Sequence, residues 1–374
     1  MRVTVSGFAA LRALRVFRAS RAILPAERVL PPTPDPSPRR RWGAGLFPLE
    51  RLALDEPPSA ECPIELVVPR AAARVQARFV TCSVHPSRLP AESFVDLGDG
   101  LFVPCPELLF LQLSRVMMPE ALALLGYELC GTYARDPRDP RGGVVTYDVP
   151  PVTSASSIAS YLDACGVHSG VLESRRMLAS VRDNSWSAME SVMALLAVLP
   201  VHRLGYEFGD IVLNVRHGAP PELVALGAKE SRVPDIEVVG THVGFNYDGR
   251  GHLDLESIAA AAAAGDASRE LRAVREKNYD DIKRDRELAA GGRIIFPVVS
   301  QDLYAPGGLD AVMLEAAQAM HEIDGRSLAN IHVAMDESYQ SRRQRLVWAL
   351  LPWEKGMGYA RAHVAYRPWA VGVK

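Results

Sequence analysis

The sequence predicts an α/β protein in which a smaller α+β region precedes a mixed β-sheet flanked by helices. Three observations carry this prediction. Short segments of β-type composition alternate with turns between residues 62 and 110. A helix–strand–strand–strand–helix–strand order follows between residues 187 and 299. Gly291-Gly292 is a strong end signal between the last helix and the last strand of that order.

Composition sets limits on the class of protein. The chain has 374 residues, enough for two domains of ordinary size, and 48% of them are hydrophobic. The net charge of −2 gives no overall attraction to nucleic acid, so a DNA-binding face would be a local patch. Five cysteines without Cys-X-X-Cys spacing argue against a zinc module or a secreted disulfide scaffold, and predict a cytoplasmic protein. No apolar run reaches about eighteen residues, so we expect no membrane span.

Changes in composition predict four segments along the chain. They are a basic, proline-rich segment, an α+β domain, a mixed-sheet domain and a final helix with an aromatic tail: 1–60, 61–175, 176–310 and 311–374. Apolar and arginine residues interleave between Leu11 and Leu24. This pattern is typical either of a basic amphipathic helix that lies on a partner, DNA or a membrane surface, or of a poorly ordered start. The prolines of residues 31–41 predict an extended linker.

The front half contains no catalytic arrangement of side chains. Residues 64–68, 75–80 and 101–106 have the composition of strands. One or two helices are predicted from Glu107 to Leu125, with Gly126 as their end. Further helices are predicted over residues 154–163 and 171–181.

The second half supplies the elements of the mixed sheet. Ser187-Ala-Met-Glu190 matches a capping box and predicts a helix that ends at Pro200. Three strands follow, and after an Ala-rich helical stretch come a long helix, a fourth strand and another helix. The second strand carries Asp235, and the third ends in Asn246-Tyr-Asp248-Gly. The other predicted ranges are 211–215, 259–264, 267–290, 293–299 and 311–322.

Two carboxylates and a histidine fall at the strand ends of this region. Asp235 lies on one apolar strand, the next strand ends in Asn246-Tyr-Asp248-Gly, and His252 follows four residues after Asp248. The side-chain period of two puts residues 246 and 248 on one face of the strand. Carboxylates at such a position can hold Mg²⁺, which polarises a phosphate and activates water. The structural alternatives are a turn-capping aspartate and an ordinary Asp-Gly hairpin turn.

The order of these parts resembles the catalytic core of the PD-(D/E)XK nuclease superfamily. Within it, the closest similarity is to the very-short-patch-repair-type endonuclease domain of abortive-infection-antitoxin-like bacterial proteins. The resemblance implies a restriction-endonuclease-like fold and DNA cleavage with Mg²⁺ or Mn²⁺. It also implies roles for individual residues: Asp235 and Asp248 as metal ligands, Glu190 as an accessory acid, His252 as a base or ligand, and Asn246 in the position of the second acid.

Two departures from the superfamily pattern define the alternatives. Asn246 replaces the usual glutamate, so it is expected to act only as a weaker oxygen ligand, and the superfamily lysine has no counterpart except Lys277 or Lys283 on the following helix. The favoured function is a metal-dependent DNA endonuclease. The alternative is a catalytically degenerate DNA-binding or antitoxin-like regulatory protein on the same fold, and the third is a partner-binding module.

Binding partners are predicted on the same basis. A DNA-binding surface is expected to draw on basic residues near the motif: Arg232, Arg250, Lys283, Arg284 and Arg286. A protein partner is a further expectation, through the N-terminal domain or the C-terminal tail. The sequence gives no oligomeric state.

Overall fold

The computed structural model describes residues 1–37, 41–248 and 267–351, which fold as an α/β protein. They divide into two compact units, residues 1–191 and residues 192–351, within those ranges. Arg250, His252, the predicted helix of residues 259–264 and the tail beyond residue 351 lie outside the described residues.

The first unit contains three small sheets. Its strands are β1 (Val3–Thr4), β2 (Ile64–Val68), β3 (Val80–Val84), β4 (Phe94–Asp96), β5 (Leu101–Pro104), β6 (Tyr133–Ala134) and β7 (Thr146–Tyr147). Strand β5 lies between β1, which is parallel to it, and β4, which is antiparallel. Strands β2 and β3 form a parallel pair, and β6 and β7 an antiparallel pair.

Helices cover these sheets. They are α1 (Gly7–Ala19), α2 (Pro106–Leu113), α3 (Pro119–Cys130), α4 (Ala155–Ala164), α5 (Val171–Leu178) and α6 (Ala188–Val198), the last of which crosses the division between the units. Helix α2 packs against α1, α3, α4 and α5. Seven of its eight residues are buried, which explains its almost uninterrupted apolar sequence.

Helix α1 belongs to the core of the first unit. Leu11 and Leu14 are buried, and the guanidinium group of Arg15 turns inward to the carboxylate of Glu128 on α3, with hydrogen bonds of 2.8 and 2.7 Å. Arg18 donates to the backbone oxygens of Glu128 and Gly131. The predicted helix therefore exists, but these two arginines are buried rather than displayed, because a carboxylate and carbonyl oxygens inside the unit satisfy them.

Two local predictions in this unit were wrong. The strand predicted over residues 75–80 is Val80–Val84 instead, because the parallel register with β2 begins at Val80. Helix α3 does not end at Gly126 but continues to Cys130. A Cβ at residue 126 would lie 2.7 Å from Val181 Cγ2, so this glycine permits a close approach instead of ending the helix.

The second unit is built around a four-stranded mixed sheet. The strands of this sheet are β8 (Ile211–Leu213), β11 (Ile236–Val238), β12 (Val243–Asp248) and β13 (Ile294–Val299). Two further strands, β9 (His217–Gly218) and β10 (Ser231–Arg232), form a separate antiparallel pair. The sheet has the order β13-β12-β11-β8, with β12 parallel to β13 and the other neighbours antiparallel. Pro297 lies in β13, an edge strand, where a missing N–H is tolerated.

Its helices are α7 (Pro221–Ala225), α8 (Ala267–Ala290), α9 (Ser300–Tyr304), α10 (Gly308–Asp324), α11 (Ala329–Ala334) and α12 (Glu337–Leu350). Helices α11 and α12 replace part of the predicted tail. On α12, Leu346, Val347 and Leu350 are buried and form an apolar face. The helix was not predicted because most of its other residues are polar. In the described ranges, no helix has both the length and the apolar character needed to cross a membrane.

The core of the second unit combines stacked aromatic rings with one buried ion pair. Phe245 lies between Phe208 and Phe296, with ring centroids 6.2 Å from each. Arg343 pairs with Asp310, which also accepts a 2.8 Å hydrogen bond from the Tyr206 hydroxyl. The Arg343 guanidinium group lies 4.3 Å from the centre of the Tyr206 ring. Its charge is therefore balanced by Asp310 and also packs against an aromatic face.

Candidate functional site

Strand pairing brings the predicted carboxylates to one end of the sheet. Asp235 immediately precedes β11, and Asp248 is the last residue of β12. The two strands are antiparallel, with Ile236 opposite Phe245, so the start of β11 lies beside the end of β12. Asp235, Asn246 and Asp248 are therefore neighbours, as the sequence predicts.

Hydrogen bonds hold Asp235 in place. Its backbone N–H donates to Asn246 Oδ1 at 3.0 Å, and its carboxylate Oδ2 accepts from the backbone N–H of Tyr247 at 2.6 Å. Burial raises the pKa of Asp235 from 3.8 to about 6, although the Tyr247 N–H and the Arg284 guanidinium both favour the charged form. The carboxyl group therefore takes up a proton at a higher pH than an exposed aspartate does.

The buried side chain of Asn246 uses its amide oxygen as a hydrogen-bond acceptor. The residue is 2% exposed, and its Oδ1 is occupied by the Asp235 N–H. An amide oxygen must face that donor, so the atom left over is Nδ2, which is buried and has no hydrogen-bond partner among the described residues. The amide oxygen thus already accepts one hydrogen bond, and the side chain carries no charge.

Arg284, on α8, lies among the carboxylates of the site. Its Nη2 is 3.3 Å from Asp248 Oδ1, and its Nη1 and Nε are each 3.5 Å from Asp281 and Asp285. Burial alone would lower the pKa of this guanidinium, but the three carboxylates raise it overall. A fixed positive charge therefore occupies the position beside Asp248 where a metal ion was expected.

Two of the other predicted DNA-binding residues, Arg232 and Lys283, lie close to carboxylates. Arg232 is 6% exposed, and its guanidinium lies 2.6 Å from Glu287 and 3.2 Å from Asp280. Lys283 donates to the carbonyl oxygen of Gly227 and lies 3.9 Å from Glu287. Arg286 is exposed on the same helix. Among the described residues of the predicted set, Arg232 and Lys283 thus connect α8 to other segments of the unit.

A metal centre is not formed by the side chains that the structure describes. Among those residues, no three His, Cys, Asp or Glu side chains form a group suited to a metal ion. Asp248 is paired with Arg284, and Asn246 contributes a neutral amide whose Oδ1 already accepts the Asp235 N–H.

Glu190 has a structural role at the start of α6. Its backbone N–H donates to Ser187 Oγ at 3.1 Å, and its carboxylate accepts from the backbone N–H of Trp186 at 3.1 and 3.3 Å. The residue is 2% exposed. This is the reciprocal arrangement that the Ser187-Ala-Met-Glu190 pattern predicted.

A second polar cluster on the sheet was not predicted. Glu237 on β11 lies 2.6 Å from His217 Nε2 and 3.2 Å from Arg293 Nε. The side-chain period places Glu237 on the same pleat as Asp235, which is the only signal the sequence held for it. The Asp281–Arg284 pair, in contrast, follows the i,i+3 spacing that the sequence displays.

Comparison with known proteins adds no assignment. No protein-family model, no curated protein and no solved structure matches this chain.

Proposed function

We propose that the second unit is a restriction-endonuclease-like domain that has lost its metal centre, and that the protein binds DNA as a regulator without cutting it. The fold assignment rests on the element order and on the mixed sheet β13-β12-β11-β8, in which only β12 and β13 are parallel. This is the arrangement expected for the superfamily that the sequence resembles.

One observation carries the loss of catalysis. Asn246 puts a neutral amide in the position of the second acid, and its Oδ1 already accepts the Asp235 N–H. The ion pair between Arg284 and Asp248 acts in the same direction, since it satisfies the remaining strand carboxylate. A metal would supply phosphate polarisation and an activated water; without it these residues position side chains but do not generate a nucleophile.

A metal-dependent endonuclease is the second candidate, and a specific observation favours it. Asp235 and Asp248 come to the same end of the sheet, and each lies near enough to Arg284 to be influenced by its charge. If DNA binding displaced Arg284 toward a phosphate, both carboxylates would be released. Asp235 and Asp248 would then be the metal ligands.

The experiment compares wild type, Asp248→Ala and Asn246→Glu on supercoiled plasmid across Mg²⁺ and Mn²⁺ concentrations, beside a gel-shift titration in EDTA. We expect no nicking by wild type and a DNA shift that weakens steeply as salt rises. Metal-dependent nicking by wild type that Asp248→Ala abolishes would establish the second candidate instead. No DNA shift even at low salt would contradict both and favour a partner-binding module.

A further inference from the structure

The first unit contains a cleft of about 580 Å³ that the function proposed for the second unit does not use. Its floor is the face of the β2–β3 pair that carries Glu65, Val67, Thr81 and Ser83, and the start of α1 and the end of α2 form its walls. Clefts of this volume are typical of small-molecule sites.

Hydrogen-bond acceptors dominate the polar lining. His85 Nε2 lies 3.0 Å from the carbonyl oxygen of Pro90 and must donate to it, so Nδ1 of the neutral ring is an acceptor. Ser83 donates its proton to the carbonyl oxygen of Leu66 and keeps its lone pairs. Gln112 has a buried Oε1 that lacks a hydrogen-bond partner within the described chain.

Glu65 gives the cleft a negative charge. Its carboxylate packs against Gly7, where any Cβ would collide with it, and the positive φ of +56° at residue 7 also requires glycine. The carboxylate therefore already lies at the start of α1, which argues against an anionic ligand at that helix end. Glu65 is exposed to solvent; partial desolvation raises the pKa of its carboxyl group, and the charge of Arg12 acts in the opposite direction.

The remaining lining is mainly apolar, with Leu89, Leu108 and Leu111 on one side. Arg115 also lines the cleft but is exposed to solvent, where its charge is screened. A ligand that suits both parts has a hydrocarbon body and a compact group rich in N–H donors.

We propose that this cleft binds a small organic primary amine, with the ammonium group donating to Glu65 and to the neighbouring acceptors, and the hydrocarbon part against the leucines. An ammonium group has three donors and no acceptor, which matches this lining. The site lies entirely within the first unit, so its test is independent of DNA binding and cleavage.

The test titrates the full chain with three probes that share a phenethyl body, using isothermal calorimetry. They are phenethylamine, phenethyl alcohol and hydrocinnamate, which carry a positive, a neutral and a negative group. We expect phenethylamine to bind at least about tenfold more tightly than the alcohol, because a charge-assisted hydrogen bond is stronger than a neutral one by about that factor in affinity. Equal affinities, a preference for hydrocinnamate, or no binding in the millimolar range would each overturn the proposal.

Three variants locate the binding. Glu65→Gln should remove the preference for the amine over the alcohol, whereas Glu92→Gln, an exposed glutamate outside the cleft, should keep it. Val116→Trp should weaken all probes, because Val116 lines the cleft and is 41% exposed, so a larger side chain fills space without disturbing the core. Retained amine preference in Glu65→Gln, with its circular dichroism unchanged, would refute the assignment.

Discussion

Replacing Glu128 by glutamine should strongly destabilise the first unit. Glu128 is 1% exposed and accepts two hydrogen bonds from the Arg15 guanidinium, at 2.8 and 2.7 Å. Glutamine keeps the shape but removes the charge, which leaves a buried guanidinium without its counter-ion. Removing one partner of a buried ion pair costs about 3–5 kcal/mol, so we expect a loss of that size in the free energy of unfolding at neutral pH.

The pH dependence of stability gives a second estimate of the free energy that the Glu128 carboxylate contributes. Burial alone would raise the pKa of Glu128, but Arg15 outweighs it and holds the pKa at about 2, against an ordinary value of 4.5. At about 1.4 kcal/mol per pH unit, this difference corresponds to about 3 kcal/mol. Because the folded pKa is the lower one, this stability is present above pH 4.5 and is lost as the pH falls toward 2.

The assay is urea unfolding followed by far-ultraviolet circular dichroism at several pH values between neutral and acid. Other carboxylates also titrate, so the measured quantity is the difference between wild type and Glu128→Gln, which should shrink by about 3 kcal/mol on acidification. Asp163→Asn is the control: the Asp163 side chain, which pairs with Arg175, is 71% exposed, so this variant should cost less than about 1 kcal/mol. A Glu128→Gln cost as small as the control's, or a difference that does not change with pH, would refute the reasoning.

Two further predictions concern buried contacts. Asp310→Asn should destabilise the second unit by about 3–5 kcal/mol, because it leaves the guanidinium group of Arg343, which is 1% exposed, without its counter-ion. In thermal unfolding, Glu315→Gln on the same helix should be nearly neutral, because Glu315 is exposed. Similar melting temperatures for the two variants would contradict this prediction. Gly126→Ala should cost about 1–3 kcal/mol in urea unfolding, despite alanine's higher helix propensity, because its Cβ would collide with Val181; a stabilised variant would show that the helix simply relaxes.

Much of the second unit could be predicted from local sequence. The strands that carry Asp235 and Asp248 have apolar runs bounded by turn residues, and the long helix α8 ends at a double glycine. The capping box at Glu190 also needed only local sequence, since its partners lie within four residues. Where the first unit was predicted less well, at Val80–Val84 and Gly126, pairing and packing with distant segments decided the outcome.

The sequence by itself determined which residue types are present at the candidate site: two aspartates, and an asparagine in place of an acid. Only the tertiary structure decided which atoms they offer. Asn246 turns its oxygen to the Asp235 backbone, and Arg284, thirty-six residues beyond Asp248, supplies a charge to that carboxylate. The physical reason is that hydrogen-bond direction and charge pairing depend on groups brought together across the fold, which the spacing of residues along one strand does not specify.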